Sequence, residues 1–338
     1  MRRVSDTYVS STAGSPPASL RGLERLRNAT SSSRRAGALL LAGAVGLATF
    51  AFVAPVSAGD EITGLTFLKI GVGARAAAMG SAHVAVVSDA TSLYWNPAGL
   101  ALIEGWDLHV SHNEWFQDIR QEYLAVAKRW GSHGFGAAFS GLYMDELERR
   151  DDAGNFLGHF GFYDVAATAG WGMNVKPGVY VGASGKFLLE QIDDETASGY
   201  AFDLAGRYDI PVTGLSIGAG VFNVGPDMKF VTEEFSIPMT IRGGAAYAFP
   251  LAQWESDVVV AADVVSYKGE DAKFHMGAEY KFREMASLAA GYKFGYDVEG
   301  LSVGAGFYRG ALSLCYAYSV IDSDLGDAHR VSLSYRLK

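Results

Sequence analysis

Beyond residue 105 the side chains alternate with a period of two, almost to the end of the chain. In "LSVGAGF", Leu301, Val303, Ala305 and Phe307 alternate with Ser302, Gly304 and Gly306. In "KFHMGAEYKF", Phe274, Met276, Ala278, Tyr280 and Phe282 alternate with Lys273, His275, Gly277, Glu279 and Lys281. In "HRVSLSYRL", Val331, Leu333, Tyr335 and Leu337 alternate with Arg330, Ser332, Ser334 and Arg336. A helix would scatter each set around its axis, whereas a strand puts each set on one face. Fourteen such segments can be read, near 106–112, 120–130, 134–143, 162–173, 179–191, 198–209, 214–223, 239–249, 256–266, 273–282, 285–294, 301–308, 311–320 and 329–337. The number is even, and the lengths cluster near the roughly 9 to 11 residues that a tilted strand needs to cross a bilayer.

The links between segments separate a barrel from stacked sheets. Short links, such as Gly131-Ser132-His133, Lys176-Pro177-Gly178, Pro211-Val212-Thr213, Arg283-Glu284 and Arg309-Gly310, alternate with longer ones. The longer ones include "NEWFQDI", "MDELERRDDAGNFLGHFG", "IDDETAS", "NVGPDMKFVTEEFSIP", "KGEDA", "GYDVEG" and "IDSDLGDA". Short periplasmic turns and longer outer loops are the pattern of a bacterial outer-membrane barrel. The expected fold is all-β: a transmembrane antiparallel β-barrel of about 14 strands. Leu, Val, Phe and Tyr positions would meet outer-membrane lipid, and Gly, Ser, Ala and scattered charges would line the lumen. Lys186, Glu190, Asp203 and Arg207 fall on the inner phase, as ion pairs or as part of a polar conduit. Trp106, Trp115, Trp130, Trp171 and Tyr335 sit near strand ends, as interfacial aromatics do. The long links also carry acid, including Asp145, Glu146, Asp151, Asp193, Asp194, Glu195, Glu233, Glu234 and Asp324. No calcium-loop spacing is among them, so they read as solvated loops.

The chain begins differently. From Arg34 to Ala58, "RRAGALLLAGAVGLATFAFVAPVSA" places two charges, an apolar stretch, Pro55 and a small-residue cleavage site in order. That is a signal peptide cut after Ala58, with residues 1–33 an upstream Ser- and Arg-rich extension. Residues 1–58 hold seven of the 28 Lys and Arg and two of the 37 Asp and Glu, so the chain from Gly59 has a net charge of minus 14. Such a chain does not bind nucleic acid by electrostatics. Its one cysteine, Cys315, excludes an internal disulfide.

Residues 59–105 have a third grammar. Small residues crowd Ala74 to Ala85, Ser88 or Asp89 can cap a short helix running toward Trp95, and Asn96 followed by Pro97 is a second helix start. Two short helices before the first strand suit a hatch folded into the lumen, because non-sheet backbone at membrane depth needs protein or water around it. The expected organisation is therefore 1–58 extension and signal peptide, 59–105 hatch, and 106–338 barrel.

The phrase "GARAAAMGSAHVAVVSDATSLYWNPAGLA", residues 73–101, resembles the N-terminal signature of the PorV/PorQ family of outer-membrane proteins, and more distantly the hatch of FadL-type channels. Gly73, Arg75, Met79, Gly80, Asp89, Tyr94, Trp95, Asn96, Pro97 and Gly99 carry the likeness. Beyond them the likeness is one of pattern, fourteen strands being the FadL-type count. The resemblance implies an outer-membrane barrel with a plugged lumen. PorV-type members serve the type IX secretion system, with secretion proteins or exported cargo as partners; FadL-type members pass hydrophobic small molecules inward. One departure is the final strand, which ends Tyr335-Arg336-Leu337-Lys338, where outer-membrane barrels usually finish on an aromatic.

Secretion or surface docking is the leading functional expectation, and uptake of hydrophobic small molecules is the alternative. Leu65, Phe67, Leu68 and Leu93, with Met79, Tyr94 and Trp95, are placed either to line an apolar pocket between hatch and wall or to pack the hatch's own core. No enzyme, cofactor or metal is expected. His109 and Ser111 share a face of the first strand, with His112 on the other, but nothing orients a base or supplies oxyanion donors. The seven histidines are scattered without zinc spacing. "GVGARAAAMG" and "GLSIGAG" lack a Walker lysine. If the leader is cut as read, mass spectrometry of the protein from outer membranes will give Gly59 as the first residue; an N-terminus upstream of Arg34 would overturn the assignment.

Overall fold

Each long apolar-alternating segment pairs with its sequence neighbour, and the first pairs with the last. The structure, a computed structural model, describes residues 63–144, 147–211, 214–322 and 326–337. The leader, the extension, Asp145, Glu146, Asp324 and two residues of the Pro211-Val212-Thr213 link lie outside the described residues. In chain order the strands are β1 (Trp106–Glu114), β2 (Arg120–Trp130), β3 (His133–Tyr143), β4 (Leu147–Arg150), β5 (Phe156–Phe160), β6 (Phe162–Lys176), β7 (Val179–Ile192), β8 (Glu195–Asp209) and β9 (Leu215–Val224). They continue as β10 (Met228–Phe230), β11 (Glu233–Phe235), β12 (Thr240–Leu251), β13 (Ser256–Tyr267), β14 (Lys273–Phe282), β15 (Ala286–Phe294), β16 (Glu299–Arg309), β17 (Leu312–Ile321) and β18 (Ala328–Leu337). Fourteen of these close into one antiparallel barrel, and β4–β5 and β10–β11 form two separate hairpins. Closure is by β1 on β18, in register from Trp106 opposite Leu337 to Glu114 opposite His329.

The fourteen expected segments are the fourteen wall strands, and the alternation sets their faces. Along β1, Asp107, His109, Ser111 and Asn113 are buried inward while Trp106, Leu108 and Val110 stand exposed. The outer band continues through Leu124, Phe139, Phe187, Leu204, Leu288 and Leu314. Such a surface is stable only against lipid. The links differ from expectation in one place. β7 and β8 pair as far as Ile192 opposite Glu195, so "IDDETAS" is no long loop but a tight turn at Asp193-Asp194 on an extended hairpin. Trp115 also departs from the aromatic girdle: it lies in the β1–β2 link and lines a cavity at the long-link end of the lumen.

Residues 63–105 fill the barrel. They form short 3-10 turns at Thr66–Lys69 and Pro97–Leu102 and single-turn helices at Ala74–Ala78 and Ser92–Trp95. The Pro97–Leu102 turn lies against β3, β6, β7 and β8, and the Ala74–Ala78 helix lies against β15 to β18. Backbone meets backbone at these seats because the wall supplies glycine there. A Cβ on Gly134 of β3 would stand 2.0 Å from the Leu100 carbonyl oxygen, and one on Gly182 of β7 would stand 2.3 Å from the Ala98 nitrogen. Gly172, Gly218, Gly277 and Gly291 meet the main chain of Pro97, Val84, Met79 and Gly80 at 2.1 to 2.6 Å in the same way.

A side chain at such a point has only main chain to displace, so the cost exceeds the about 1–3 kcal/mol of ordinary overpacking. Gly182→Val is expected to leave the wall assembled but unseat the hatch, seen as protease cleavage within 63–105 of the heat-modifiable protein. A protected hatch in that variant would refute the close seat.

Candidate functional site

The hatch is built from residues that bond within it and residues that bond to the wall. Gly73 enters the Ala74–Ala78 helix at φ 83°, and Gly80 leaves it at φ 60°, both left-handed positions that favour glycine. Asp89 turns the chain just ahead of the Ser92–Trp95 helix without capping it: its Oδ1 accepts from the Thr91 N–H at 2.9 Å and from the Thr91 hydroxyl, and Thr91, at the N-cap position, makes no side-chain cap bond. Asn96 caps the Pro97 turn, its Oδ1 accepting from the Ala98 N–H at 3.1 Å with proline at the first position. Its Nδ2 donates to the Val84 carbonyl at 3.0 Å and to the wall carbonyl of Gly206 at 3.1 Å, so one side chain ties two hatch segments to the wall. Trp95 Nε1 donates to the Val72 carbonyl at 2.9 Å and the Tyr94 hydroxyl to the Leu68 carbonyl at 3.0 Å. Met79 is fully buried, and a Cβ on Gly99 would lie 2.6 Å from Ser92 Oγ. Every residue of the family-like phrase thus packs, turns or bonds inside the lumen.

The wall answers with charges that the sequence reading did not single out as site residues. Asp263 on β13 accepts the N–H groups of His83 and Val84 through one oxygen, at 2.8 and 2.9 Å. Asp107 on β1 accepts the Ala90 N–H at 3.0 Å and the Arg336 Nε at 2.6 Å. Arg75 donates to both oxygens of Glu279 on β14, the shortest contact 2.6 Å, with Glu279 only 2% exposed. The Arg242 guanidinium carbon lies 4.7 Å from the Trp95 ring centre, and Arg207 Nη1 donates to the Val87 carbonyl at 2.8 Å. The available signal was an inward-phase charge inside an apolar run, as Asp263 is in "VVVAADVVSY". Of the four expected lumen charges, Lys186 pairs across strands with Asp203 at 3.0 Å, while Arg207 pairs with Asp209, outside the expected set, at 2.7 Å. Near the long-link end, Lys69 reaches Glu270 at 2.5 Å. Partial burial there raises the Glu270 carboxyl, but Lys273 and Lys69 outweigh it and hold the group below its ordinary range.

The candidate ligand residues do converge. Leu65, Phe67 and Leu68 pack with Leu142, Leu188, Met228, Phe235 and Ile237 into one buried apolar cluster. The β10–β11 hairpin covers it, joined to the hatch by Gly64 N–H donating to the Ser236 carbonyl at 3.2 Å. Leu93 belongs to the adjoining cluster with Trp95, Leu100 and Tyr123. Phe67, Leu68 and Leu93 share a cavity of only about 20 Å³ with Tyr94, Tyr123 and Lys186. That is room for about one water molecule. Among the described residues, no group of three or more His, Cys, Asp or Glu is placed to hold a metal ion.

A closed fourteen-stranded wall, an apolar outer band and a lumen occupied by the preceding segment of the chain define a plugged barrel of the bacterial outer-membrane kind. The model of an uncharacterised protein family, UPF0164, matches residues 57–199, the hatch and the wall as far as β8, in line with the resemblance carried by residues 73–101. No curated protein matches the chain. Among solved structures it is similar to the toluene transporter TodX of P. putida, at a TM-score of 0.59 and 12% identity over 79% of this chain and 99% of that one. It is also similar to the CymD monoaromatic hydrocarbon channel, at 0.56 and 13% over 81% and 99%. A FadL homologue of Pseudomonas aeruginosa is matched at 0.53 and 10%, over 79% and 98%.

Removing Arg75 would strand the Glu279 carboxylate in the lumen, a loss of about 3–5 kcal/mol for a buried pair broken on one side. Arg75→Ala is expected to lower the temperature at which the folded band converts in a heat-modifiability series, and Arg75→Ala with Glu279→Gln to recover part of the loss. Equal conversion temperatures for wild type and both variants would mean that the pair holds nothing.

Proposed function

We propose that this chain is an outer-membrane channel of the hatch-and-barrel type that admits hydrophobic small molecules from the long-link, outward end. The supporting observation is the convergence of Leu65, Phe67 and Leu68 with Leu188, Met228 and Phe235 into an apolar cluster roofed by the β10–β11 hairpin. An apolar solute arriving at that hairpin would exchange its contacts with water for contacts with these side chains, at about 25 cal/mol for each Å² buried. The cavity beside Leu93 is the point from which space would open if the hatch shifts against β2, β6 and β7. The related folds named above include a monoaromatic hydrocarbon channel and a toluene transporter. Their low identity carries the fold, so the solute class is part of the proposal.

A second reading, docking of exported proteins as in type IX secretion, has its own support. Phe156 and Leu157 at the β4–β5 hairpin and Val231 in the β10–β11 turn are 53%, 61% and 66% exposed beyond the long-link end of the wall. Apolar side chains on projecting hairpins are suited to a protein partner.

Mass spectrometry of small molecules that co-purify with the folded protein separates the two. A stoichiometric hydrocarbon or fatty acyl compound, lost when Leu68 and Leu188 are both changed to Asn, supports uptake. An empty lumen, with secretion of surface proteins abolished by deleting 148–159 from a correctly inserted barrel, supports docking and overturns uptake.

A further inference from the structure

Two carboxyl groups at the outward end of the wall have no cation to answer them. Asp164, the third residue of β6, and Glu190, the third from the end of β7, are directly opposed across their strands. Opposed side chains on an antiparallel pair stand about 4.5–5.5 Å apart at Cβ, so the two carboxyls share one space. Asp164 lies two residues outward of Ala166 and Glu190 two outward of Leu188, and both of those belong to the apolar cluster under the β10–β11 hairpin. Leu142, opposite Asp164 on β3, and Ala197, opposite Glu190 on β8, are in the same cluster. The pair therefore forms a charged rim on an apolar site.

Asp164 is 3% exposed, and neither carboxyl forms an ion pair with any described residue. Oδ1 of Asp164 and Oε2 of Glu190 are buried without a hydrogen-bond partner, and the Leu65 N–H bonds to Glu190. The basic side chains nearby are committed elsewhere. Lys186, four residues along β7 on the same face, is held by Asp203 at 3.0 Å and by Asn223, and Arg149 of the β4–β5 hairpin is held by Asp193. Two like charges so placed are costly until a proton or a cation comes between them. A metal ion is poorly served, because no third carboxylate, histidine or cysteine joins the pair among the described residues. A separate polar atom waits beside the pair. Tyr123, 4% exposed, lines the small cavity that also touches Phe67, Leu68 and Ala166, and its hydroxyl has no partner among the described residues. Unpaired acceptors at the rim, with leucine and phenylalanine next to them, are the complement of a solute with a charged, donor-rich head and a compact apolar body.

We propose that Asp164 and Glu190 are a head-group site for hydrophobic amines, so that protonated aromatic and short aliphatic amines are the preferred solutes of this barrel; this rests on the uptake reading above. An ammonium head brings three donors and the missing positive charge to the carboxyls, while its carbon body takes the place of contacts among Leu65, Leu68 and Leu188. A neutral hydrocarbon leaves the buried acceptors unpaired, and a carboxylate adds a third negative charge, so both are discriminated against at the same rim.

The test is calorimetric titration of the purified, heat-modifiable protein in a non-ionic detergent with phenethylamine, propylbenzene and hydrocinnamate, which match in size and differ in charge. Phenethylamine is expected to bind about tenfold or more tighter than propylbenzene, with hydrocinnamate weakest. In Asp164→Asn with Glu190→Gln, which keeps the shape of the rim, phenethylamine and propylbenzene should bind alike. Equal binding of these two by the wild type would mean that the carboxyls merely share a proton, and would overturn the amine site while leaving hydrophobic uptake standing. A preference for the amine that survives in the double variant would also overturn it, since the head would then be held elsewhere. No binding of any of the three would remove the uptake reading and the amine site together.

Discussion

Main chain resting directly on main chain, across glycines of the wall, is the contact on which this structure depends. A barrel of about eight strands can fill its interior with its own side chains, and one of about sixteen leaves an aqueous channel. At fourteen strands the lumen is too wide for the first solution, and residues 63–105 supply the missing volume. It can do so only if hatch and wall come closer than two layers of side chains allow. Gly134, Gly172 and Gly182 provide that approach for the Pro97–Leu102 turn, and Gly277 and Gly291 provide it for Met79 and Gly80. The alanines of "ARAAAMG" are the other half of the same fit.

Close approach has an electrostatic consequence. Hatch turns of four to six residues leave many N–H and C=O groups without helical partners, and at membrane depth each one unmet is costly. The wall meets them with inward carboxylates and amides: Asp263 for His83 and Val84, Asp107 for Ala90, and the Gly206 carbonyl for Asn96. These same carboxylates would be stranded in an empty lumen. Hatch and wall therefore depend on one another, and movement of the hatch requires replacement partners.

The wall was readable because period-two alternation records a physical asymmetry, lipid on one face and lumen on the other, residue by residue. The hatch was readable from the change of grammar and from Asn96-Pro97, a helix start that works through local bonds. Three things escaped. The β4–β5 and β10–β11 hairpins are three to five residues per strand, too short for a periodic signal, and β10–β11 is held by contacts with Gly64 and the hatch. The β7–β8 turn was hidden because Asp193-Asp194 reads as solvated loop whether strands pair up to it or stop short. Asp263, Glu279 and Arg242 looked like ordinary lumen charges, since their partners lie about 150 to 200 residues away in the chain.

The amino-acid sequence by itself determined what faces lipid, how many strands the wall contains, and that a separate segment precedes it, because those properties follow from local periodicity and from composition. Only the tertiary structure decided which inward glycines are seats, which inward charges are clamps, and whether Leu65, Phe67, Leu68 and Leu93 enclose open space or one another. Those outcomes depend on how far the hatch backbone penetrates toward each strand, and that distance is set by closure of the whole barrel around it.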